Sequence, residues 1–96
     1  MPSVYPTDES SIEKIVCEYA EAHDWLVYKF SAPGQRGVPD RIFIKKGVTF
    51  FIEFKATGKN ANKLQQYIHK KLKLHGVNVF VVDNVVQGKK YIRRMN

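Results

Sequence analysis

Three charged residues, Asp40, Glu53 and Lys55, have the types and spacing that a phosphate-hydrolysing metal site requires. Glu53 and Lys55 are two residues apart, so on a strand their side chains leave the same face. An isolated pair of this kind is usually an exposed ion pair, which contributes about 0–1 kcal/mol to stability. Asp40 makes that interpretation insufficient, because it adds a second carboxylate at a spacing that a hairpin can close.

Asp40 begins a predicted strand over residues 40–45, and a Lys-Gly pair offers a turn into the strand predicted over residues 48–55. Pairing of these strands as a hairpin brings Asp40 beside Glu53. Neighbouring carboxylates repel each other unless a proton or a cation lies between them. Mg²⁺ commonly takes one or two carboxylates together with water and substrate phosphate. Lys55 would then polarise the attacking water or stabilise charge on the phosphate.

The rest of the pattern predicts the elements that hold this cluster. Apolar residues repeat at helical or strand spacing, with Gly, Asn and Pro in several of the connections. The expected elements, in chain order, are a helix over 8–23, a strand over 25–30, strands over 40–45 and 48–55, a helix over 62–75 and a strand over 77–82. This order predicts an α/β fold with a single mixed β-sheet flanked by helices (an α-β-β-β-α-β core), in one domain over residues 1–96.

Two details of the predicted helices are specific enough to test. On the second helix, the spacing predicts a stripe along one side that consists of Leu64, Tyr67, Ile68, Lys71 and Leu72. In the tail after the last strand, the pattern predicts a short helix that is broken at Gly88, because glycine is a weak helix former.

The chain is strongly basic, with 16 Lys and Arg residues against 9 Asp and Glu residues and a net charge of +7. Such an excess favours a polyanionic partner, although a protein that is merely basic is the simpler alternative. The expected partner is DNA. The residues predicted to contact it are Lys29, Arg36, Lys59, Lys63, Lys70, Lys73, Lys89, Lys90, Arg93 and Arg94.

Several classes of site are excluded by the residue types. Cys17 is the one cysteine, which excludes an internal disulfide and a cysteine-based zinc cluster, and it is expected to pack in the first helix. His23, His69 and His75 form no zinc pattern and are predicted to lie on helix surfaces or at helix ends. The sequence contains no glycine-rich phosphate-binding loop, so no nucleotide cofactor is expected. The absence of a signal peptide and of a membrane span predicts a cytoplasmic protein, in a bacterium or a phage-infected cell.

Two segments together resemble a known series of motifs: residues 37–41 (GVPDR) and residues 51–56 (FIEFKA). The series resembles that of the PD-(D/E)xK nuclease superfamily and, within it, the VRR-NUC branch of virus-type replication-repair nucleases, in its stand-alone phage and bacterial form. The resemblance extends to residues 9–13 and 29–34 and covers most of the chain. It implies a restriction-endonuclease-like fold and a metal-dependent nuclease.

The resemblance implies a role for each residue that matches the central motifs. Asp40 and Glu53 would be catalytic and would bind Mg²⁺ or Mn²⁺ together with the backbone carbonyl of Phe54. Lys55 would serve the nucleophilic water.

Two supporting residues are also implied by the resemblance, and both have alternatives. Glu13 would complete the acidic cluster from the first helix, directly or through a water. It also fits the last position of a capping box that begins at Ser10, and Glu9 lies on the same flank. Gln65 would support the site from the second helix, where Gln66 stands beside it.

Three classes of function are compatible with the sequence: a metal-dependent phosphodiesterase acting on DNA, a non-catalytic nucleic-acid-binding module, and a subunit that regulates a helicase or polymerase. The first explains the two acids, Lys55 and the positive charge together. The resemblance to stand-alone family members implies a branched substrate such as a four-way junction. Symmetrical cutting of a junction needs two active sites, so a two-fold homodimer is expected.

Overall fold

Residues 4–96, which the computed structural model describes, form three helices and four strands. The first three residues of the predicted domain lie outside this part. The elements are α1 (Glu9–Ala22), β1 (Leu26–Lys29), β2 (Arg41–Lys45), β3 (Val48–Phe54), α2 (Lys63–Leu74), β4 (Asn78–Val82) and α3 (Val85–Met95).

The four strands form one mixed sheet in the order β1-β2-β3-β4. The pairs β1-β2 and β2-β3 are antiparallel, and the second of them is the predicted hairpin, with Arg41 opposite Ile52. β4 is parallel to β3, because α2 returns the chain to the same end of the sheet. The predicted α/β fold with a single mixed sheet and flanking helices is therefore confirmed.

The main core lies between one face of the sheet and the helices α1 and α3. Phe50 is central to it, because its ring stacks on Phe43 at 4.9 Å between centroids and meets the edge of Trp25 at 5.1 Å. The other buried members of this core are Ile12, Val16, Cys17, Ala20, Ile52, Phe54, Val82, Val85 and Ile92. Strand alternation turns the residues between Phe50, Ile52 and Phe54 toward α2, on the opposite face.

The tail forms one continuous helix, so the predicted break at Gly88 is wrong. Gly88 is buried inside α3, and a Cβ atom at this position would lie 2.5 Å from Cγ2 of Val16 on α1. Glycine is therefore present because the two helices approach each other closely, and burial of Val85 and Ile92 against the core outweighs its weak helix propensity.

The stripe predicted on α2 is only partly correct. Ile68 is buried and Leu72 is half-buried, but Leu64, Tyr67 and Lys71 are exposed. The buried face of α2 is rotated toward a polar residue, His69, which is 4% exposed. The spacing of apolar residues could not predict this rotation, because α2 packs partly against a polar side chain of the sheet, Glu53. In the described part of the chain, no helix combines the length and apolar character that crossing a bilayer requires.

Candidate active site

Asp40 and Glu53 lie side by side where β2 begins and β3 ends. The Asp40 N–H donates to the Ile52 carbonyl at 3.1 Å, which extends the hairpin ladder by one residue and places Asp40 opposite Glu53. Oδ2 of Asp40 also accepts a hydrogen bond from the Phe54 N–H at 2.8 Å. The proximity of Asp40 and Glu53 expected from the hairpin is therefore present in the structure.

Glu53 is a buried carboxylate with unequal surroundings for its two oxygens. Oε2 accepts a hydrogen bond from Nε2 of Gln65 at 3.1 Å and lies 3.5 Å from Nζ of Lys55. Oε1 has no hydrogen-bond partner among the described residues. Burial and the nearby charge of Asp40 raise the pKa of Glu53 to about 7, while Lys55 opposes this shift.

The second carboxylate is disfavoured in its charged form as well. Burial raises the pKa of Asp40 above its ordinary value, and the charge of Glu13 adds to the effect. The hydrogen bond from the Phe54 N–H and the charge of Lys55 act in the opposite direction. Two neighbouring carboxylates with raised pKa values form a site that a bound proton or a bound cation stabilises.

Glu13 reaches the same end of the sheet from α1. Its Oε2 accepts a hydrogen bond from Nε of Arg41 at 2.9 Å, which partly neutralises its charge. The capping-box alternative is wrong, because Asp8 is the N-cap of α1 and accepts a hydrogen bond from the Ser11 N–H at 3.0 Å. A cavity of about 300 Å³ lies between the acidic residues of α1 and Asp40. It is lined by Glu9, Glu13, Lys29, Phe30, Ser31 and Asp40.

Gln65 connects the start of α2 to Glu53. Its Oε1 accepts a hydrogen bond from the Asn62 N–H at 2.9 Å, and its backbone N–H donates to Oδ1 of Asn62 at 2.8 Å. The Nε2 end of the same side chain contacts Glu53. Gln66 instead donates to the carbonyl of Ala61 at 2.8 Å. The geometry therefore favours Gln65 over Gln66 as the side chain that supports the carboxylate.

His69 was expected on a helix surface, and that expectation is wrong. It is buried on α2, one turn after Gln65, with Nε2 lying 4.0 Å from Oε1 of Glu53. Within the described residues, Nε2 has no hydrogen-bond partner. Burial lowers the pKa of His69, and the charges of Lys73 and Lys55 lower it further. The sequence signal for this position is the four-residue spacing from Gln65, which puts both side chains on one helix face.

The other residues expected to be structural are as predicted. His23 is exposed, with Nδ1 bound to the Tyr19 carbonyl at 2.8 Å, and His75 is the exposed C-cap of α2. Cys17 is buried in α1, and burial raises the pKa of its thiol to about 12. That value keeps the thiol protonated and unreactive at neutral pH.

The basic residues predicted to contact DNA do not form one surface. Lys63, Lys70 and Lys73 are exposed on α2, whereas Lys90, Arg93 and Arg94 are exposed on α3, across the sheet from α2. Lys29, which lines the cavity, Arg36 and Lys59 are exposed outside the helices. Lys89 is half-buried, because its Nζ donates to the Tyr5 hydroxyl at 3.2 Å and lies over the Tyr19 ring. Lys89 is therefore the least accessible of the ten.

The donors at this site fit a hard divalent cation. The unpartnered Oε1 of Glu53 and the adjacent Asp40 supply anionic oxygens in a partly buried setting. Across the described residues, no group of three or more His, Cys, Asp or Glu side chains forms a complete metal cage. Mg²⁺ does not require one, because it keeps several waters and commonly uses one or two carboxylates.

Comparisons with known proteins identify two relatives of this chain. No protein-family model matches the sequence. "Putative nuclease p44" of Acyrthosiphon pisum secondary endosymbiont phage 1 is 38% identical over 77 residues, which are 79% of this chain and 83% of the relative. A solved structure described as a VRR_NUC domain matches with a TM-score of 0.83 and 34% identity, over 91% of this chain and 96% of the other.

The fold, the paired carboxylates and these two relatives define a nuclease domain. Within that class, the chain belongs to the VRR-NUC family, as the motif series at residues 37–41 and 51–56 predicted.

Proposed function

We propose that this nuclease is an endonuclease that hydrolyses phosphodiester bonds in DNA with the help of Mg²⁺ or Mn²⁺, and that residues 1–96 act as one nuclease domain. The observation that carries the proposal is the buried Glu53 beside Asp40, with Lys55 leaving the strand on the same side as Glu53. A non-catalytic DNA-binding module explains the net charge but provides no reason to bury a carboxylate next to another carboxylate.

The ion would be held by Asp40, Glu53 and the backbone carbonyl of Phe54. Glu13 lines the cavity that Asp40 also lines. The bound ion would neutralise the carboxylates, polarise the phosphate and lower the pKa of a water molecule. The protein's own contribution is placement. The Phe54 N–H fixes one oxygen of Asp40, and Gln65 fixes one oxygen of Glu53.

Lys55 supplies the positive charge at the reacting end of the site. It is half-buried, and its Nζ lies 3.5 Å from Oε2 of Glu53. A cation held in a partly buried position interacts with developing negative charge more strongly than an exposed one, because water screens it less. Lys55 would orient the attacking water or stabilise the phosphate as negative charge develops on it.

A plasmid-nicking assay tests the proposal. Wild-type protein should cleave supercoiled DNA with Mg²⁺ or Mn²⁺ and should be inactive with EDTA. Asp40→Asn and Glu53→Gln should abolish cleavage while leaving the circular dichroism spectrum unchanged. Glu18→Gln, which changes an exposed carboxylate on α1, is the matched control and should keep full activity. Full cleavage in EDTA, or by Asp40→Asn, would contradict the catalytic assignment.

We further propose that the substrate is branched DNA and that two copies of the chain act on it as a homodimer. Basic side chains on both faces of the sheet support contacts with more than one duplex arm. Exposed apolar side chains, which include Leu26 and Tyr28 on the edge strand β1, offer surface that a second copy could cover. The buried single cysteine is compatible with the reducing cytoplasm in which we expect the protein to act.

Competition binding in Ca²⁺, combined with light scattering, tests the substrate and the assembly. The mass should be near twice 11.1 kDa, and a junction should compete better than linear duplex because both subunits engage it at once. Affinity should fall steeply with salt, since each neutralised phosphate releases counterions. A monomer with equal affinity for both DNAs would refute this part and leave the nuclease assignment intact.

A further inference from the structure

We propose that His69 is a positioning residue for Glu53: its Nε2–H donates to Oε1 of Glu53, directly or through one water, and fixes the carboxylate beside Asp40. This inference rests on the proposed function of Glu53 as a metal-binding carboxylate. It assigns a purpose to a buried polar side chain that the fold does not otherwise use.

Two buried polar atoms without hydrogen-bond partners among residues 4–96 lie near each other at this site. In the part of the chain that the structure describes, Nε2 of His69 and Oε1 of Glu53 are both buried without a hydrogen-bond partner, and they lie 4.0 Å apart. A buried polar group that is left unsatisfied loses its hydrogen bonds to water and gains none in return, which destabilises the fold. A small side-chain shift or one bridging water satisfies both atoms together. An ionised carboxylate only accepts hydrogen bonds, so Nε2 must carry the hydrogen.

The contacts of the Glu53 carboxylate are distributed unequally between its two oxygens. Gln65 and Lys55 both lie at Oε2, and neither is bonded to Oε1. A carboxylate held at one oxygen can still turn about that contact. His69 faces the other oxygen and therefore removes the remaining freedom. Gln65 and His69 are one helical turn apart, so the docking of α2 delivers both contacts at once.

An apolar residue at position 69 would fill the same space without burying a polar group. His69 is 4% exposed, on the same helix as the buried Ile68. A leucine there would bury no polar atom and would avoid the desolvation cost of an imidazole. The histidine is therefore explained by its contact with Glu53 rather than by the packing of α2 alone.

The test compares His69→Leu and His69→Gln with the matched control His75→Leu, which changes the exposed histidine at the end of the same helix. Removing a group that orients a metal ligand typically weakens metal affinity or activity about 10–100-fold. We expect His69→Leu to weaken Mn²⁺ binding, measured by calorimetry without DNA, and to lower kcat by factors in this range. KM for DNA should stay the same. His69→Gln should recover most of both, because its amide nitrogen can donate from a similar position.

A second measurement covers the case in which His69→Leu does not fold. In wild-type protein free of metal and at about pH 9, where Glu53 is ionised, ¹⁵N NMR should show a neutral His69 ring protonated at Nε2, and its resonances should move in Glu53→Gln but not in Glu18→Gln. Mn²⁺ affinity and kcat within twofold of wild type in folded His69→Leu would overturn the proposal. So would a His69 ring that carries its proton on Nδ1. Wild-type protein that shows no metal-dependent cleavage would instead overturn the proposed function.

Discussion

The two faces of β3 differ in chemical character, because one side of the strand is buried among apolar groups and the other among charged and polar groups. Phe50, Ile52 and Phe54 face α1 and α3 and are buried among apolar side chains. Glu53, on the alternate face, meets polar groups of α2 and of its own strand. Because side chains alternate along a strand, residues adjacent in sequence are separated by the thickness of the sheet.

The difference between the faces lies in how well their atoms are satisfied. The α1 and α3 face buries aromatic rings in contact with one another. The α2 face holds two carboxylates whose pKa values are raised, and an imidazole nitrogen with no partner among residues 4–96. Apolar burial on the α1 and α3 face stabilises the fold, and it offsets the destabilising burial of charged and polar groups on the α2 face. Substitutions on the two faces should therefore have opposite signatures.

The largest effect on folding is expected from Phe50→Ala on the apolar face. The truncation removes ring contacts with Phe43 and Trp25, and substitutions of this kind cost about 3–5 kcal/mol. Urea denaturation should show this loss, while the specific activity of the folded fraction stays near that of wild type. Thr49→Ala is the control, because Thr49 is exposed on the same strand. Loss of activity by folded Phe50→Ala would show that the two faces are not independent.

The converse variant on the other face is Lys55→Ala. We expect turnover to fall about 100–1000-fold, the range for removing one group that stabilises transition-state charge. DNA affinity should change little, because Lys55 is one phosphate contact among many. Single-turnover cleavage at saturating protein, together with binding in Ca²⁺, separates the two quantities. Lys14→Ala, an exposed lysine on α1, is the control. Weakened binding with normal turnover at saturation would make Lys55 a simple phosphate contact.

Gly88→Ala probes the packing of α3 on α1. The added Cβ would lie 2.5 Å from the Val16 side chain, and overpacking of this kind costs about 1–3 kcal/mol. Helix propensity alone predicts the opposite sign, because alanine favours a helix over glycine by about 1 kcal/mol. Thermal unfolding should show a lower Tm for Gly88→Ala and little change for the exposed control Lys90→Ala. A stabilised Gly88→Ala would mean that the two helices separate easily.

The smallest effect concerns the pH dependence of stability without metal. The pKa of Glu53 is about 7 in the folded protein and 4.5 in its ordinary state. Between these pH values the folded state binds more protons than the unfolded state, so stability falls as pH rises. Above about pH 8, where Glu53 is ionised in both states, this contribution is constant.

Thermal unfolding in EDTA from pH 4.5 to pH 8 measures this dependence. Glu53→Gln should have a higher Tm than wild type at pH 8, and the difference should shrink as pH falls. Glu18→Gln should follow the wild-type curve. A Glu53→Gln variant that is less stable than wild type at pH 8 would show that the carboxylate is stabilised in its charged form.

The apolar face and the hairpin could be predicted from sequence because their signals are local. Alternation in residues 48–55 gives the two faces of β3, and a short turn fixes which residue of β2 meets Glu53. The proximity of Asp40 and Glu53 could therefore be predicted from the hairpin pattern alone.

Contacts that depend on how a helix docks could not be predicted in the same way. Arg41 and Glu13 are 28 positions apart, and their ion pair requires the orientation of α1 on the sheet. The prediction for His69 was wrong because its four-residue spacing from Gln65 indicates only a shared helix face, and the burial of that face depends on how α2 docks. Gly88 was misjudged because its purpose is the close approach of Val16, a residue 72 positions earlier.

The capping box of α2 places an unusual demand on one amino-acid position. The Gln65 amide uses its oxygen for the Asn62 N–H and its nitrogen for Glu53. A glutamate would keep the first contact and bring a third negative charge to the second, whereas a lysine would lose the acceptor. Asparagine is shorter by one carbon and would have to span both partners with less reach. Sequence drift at this position is therefore restricted by two neighbours at once, and fraying of the first turn of α2 would release the Glu53 carboxylate in the same event.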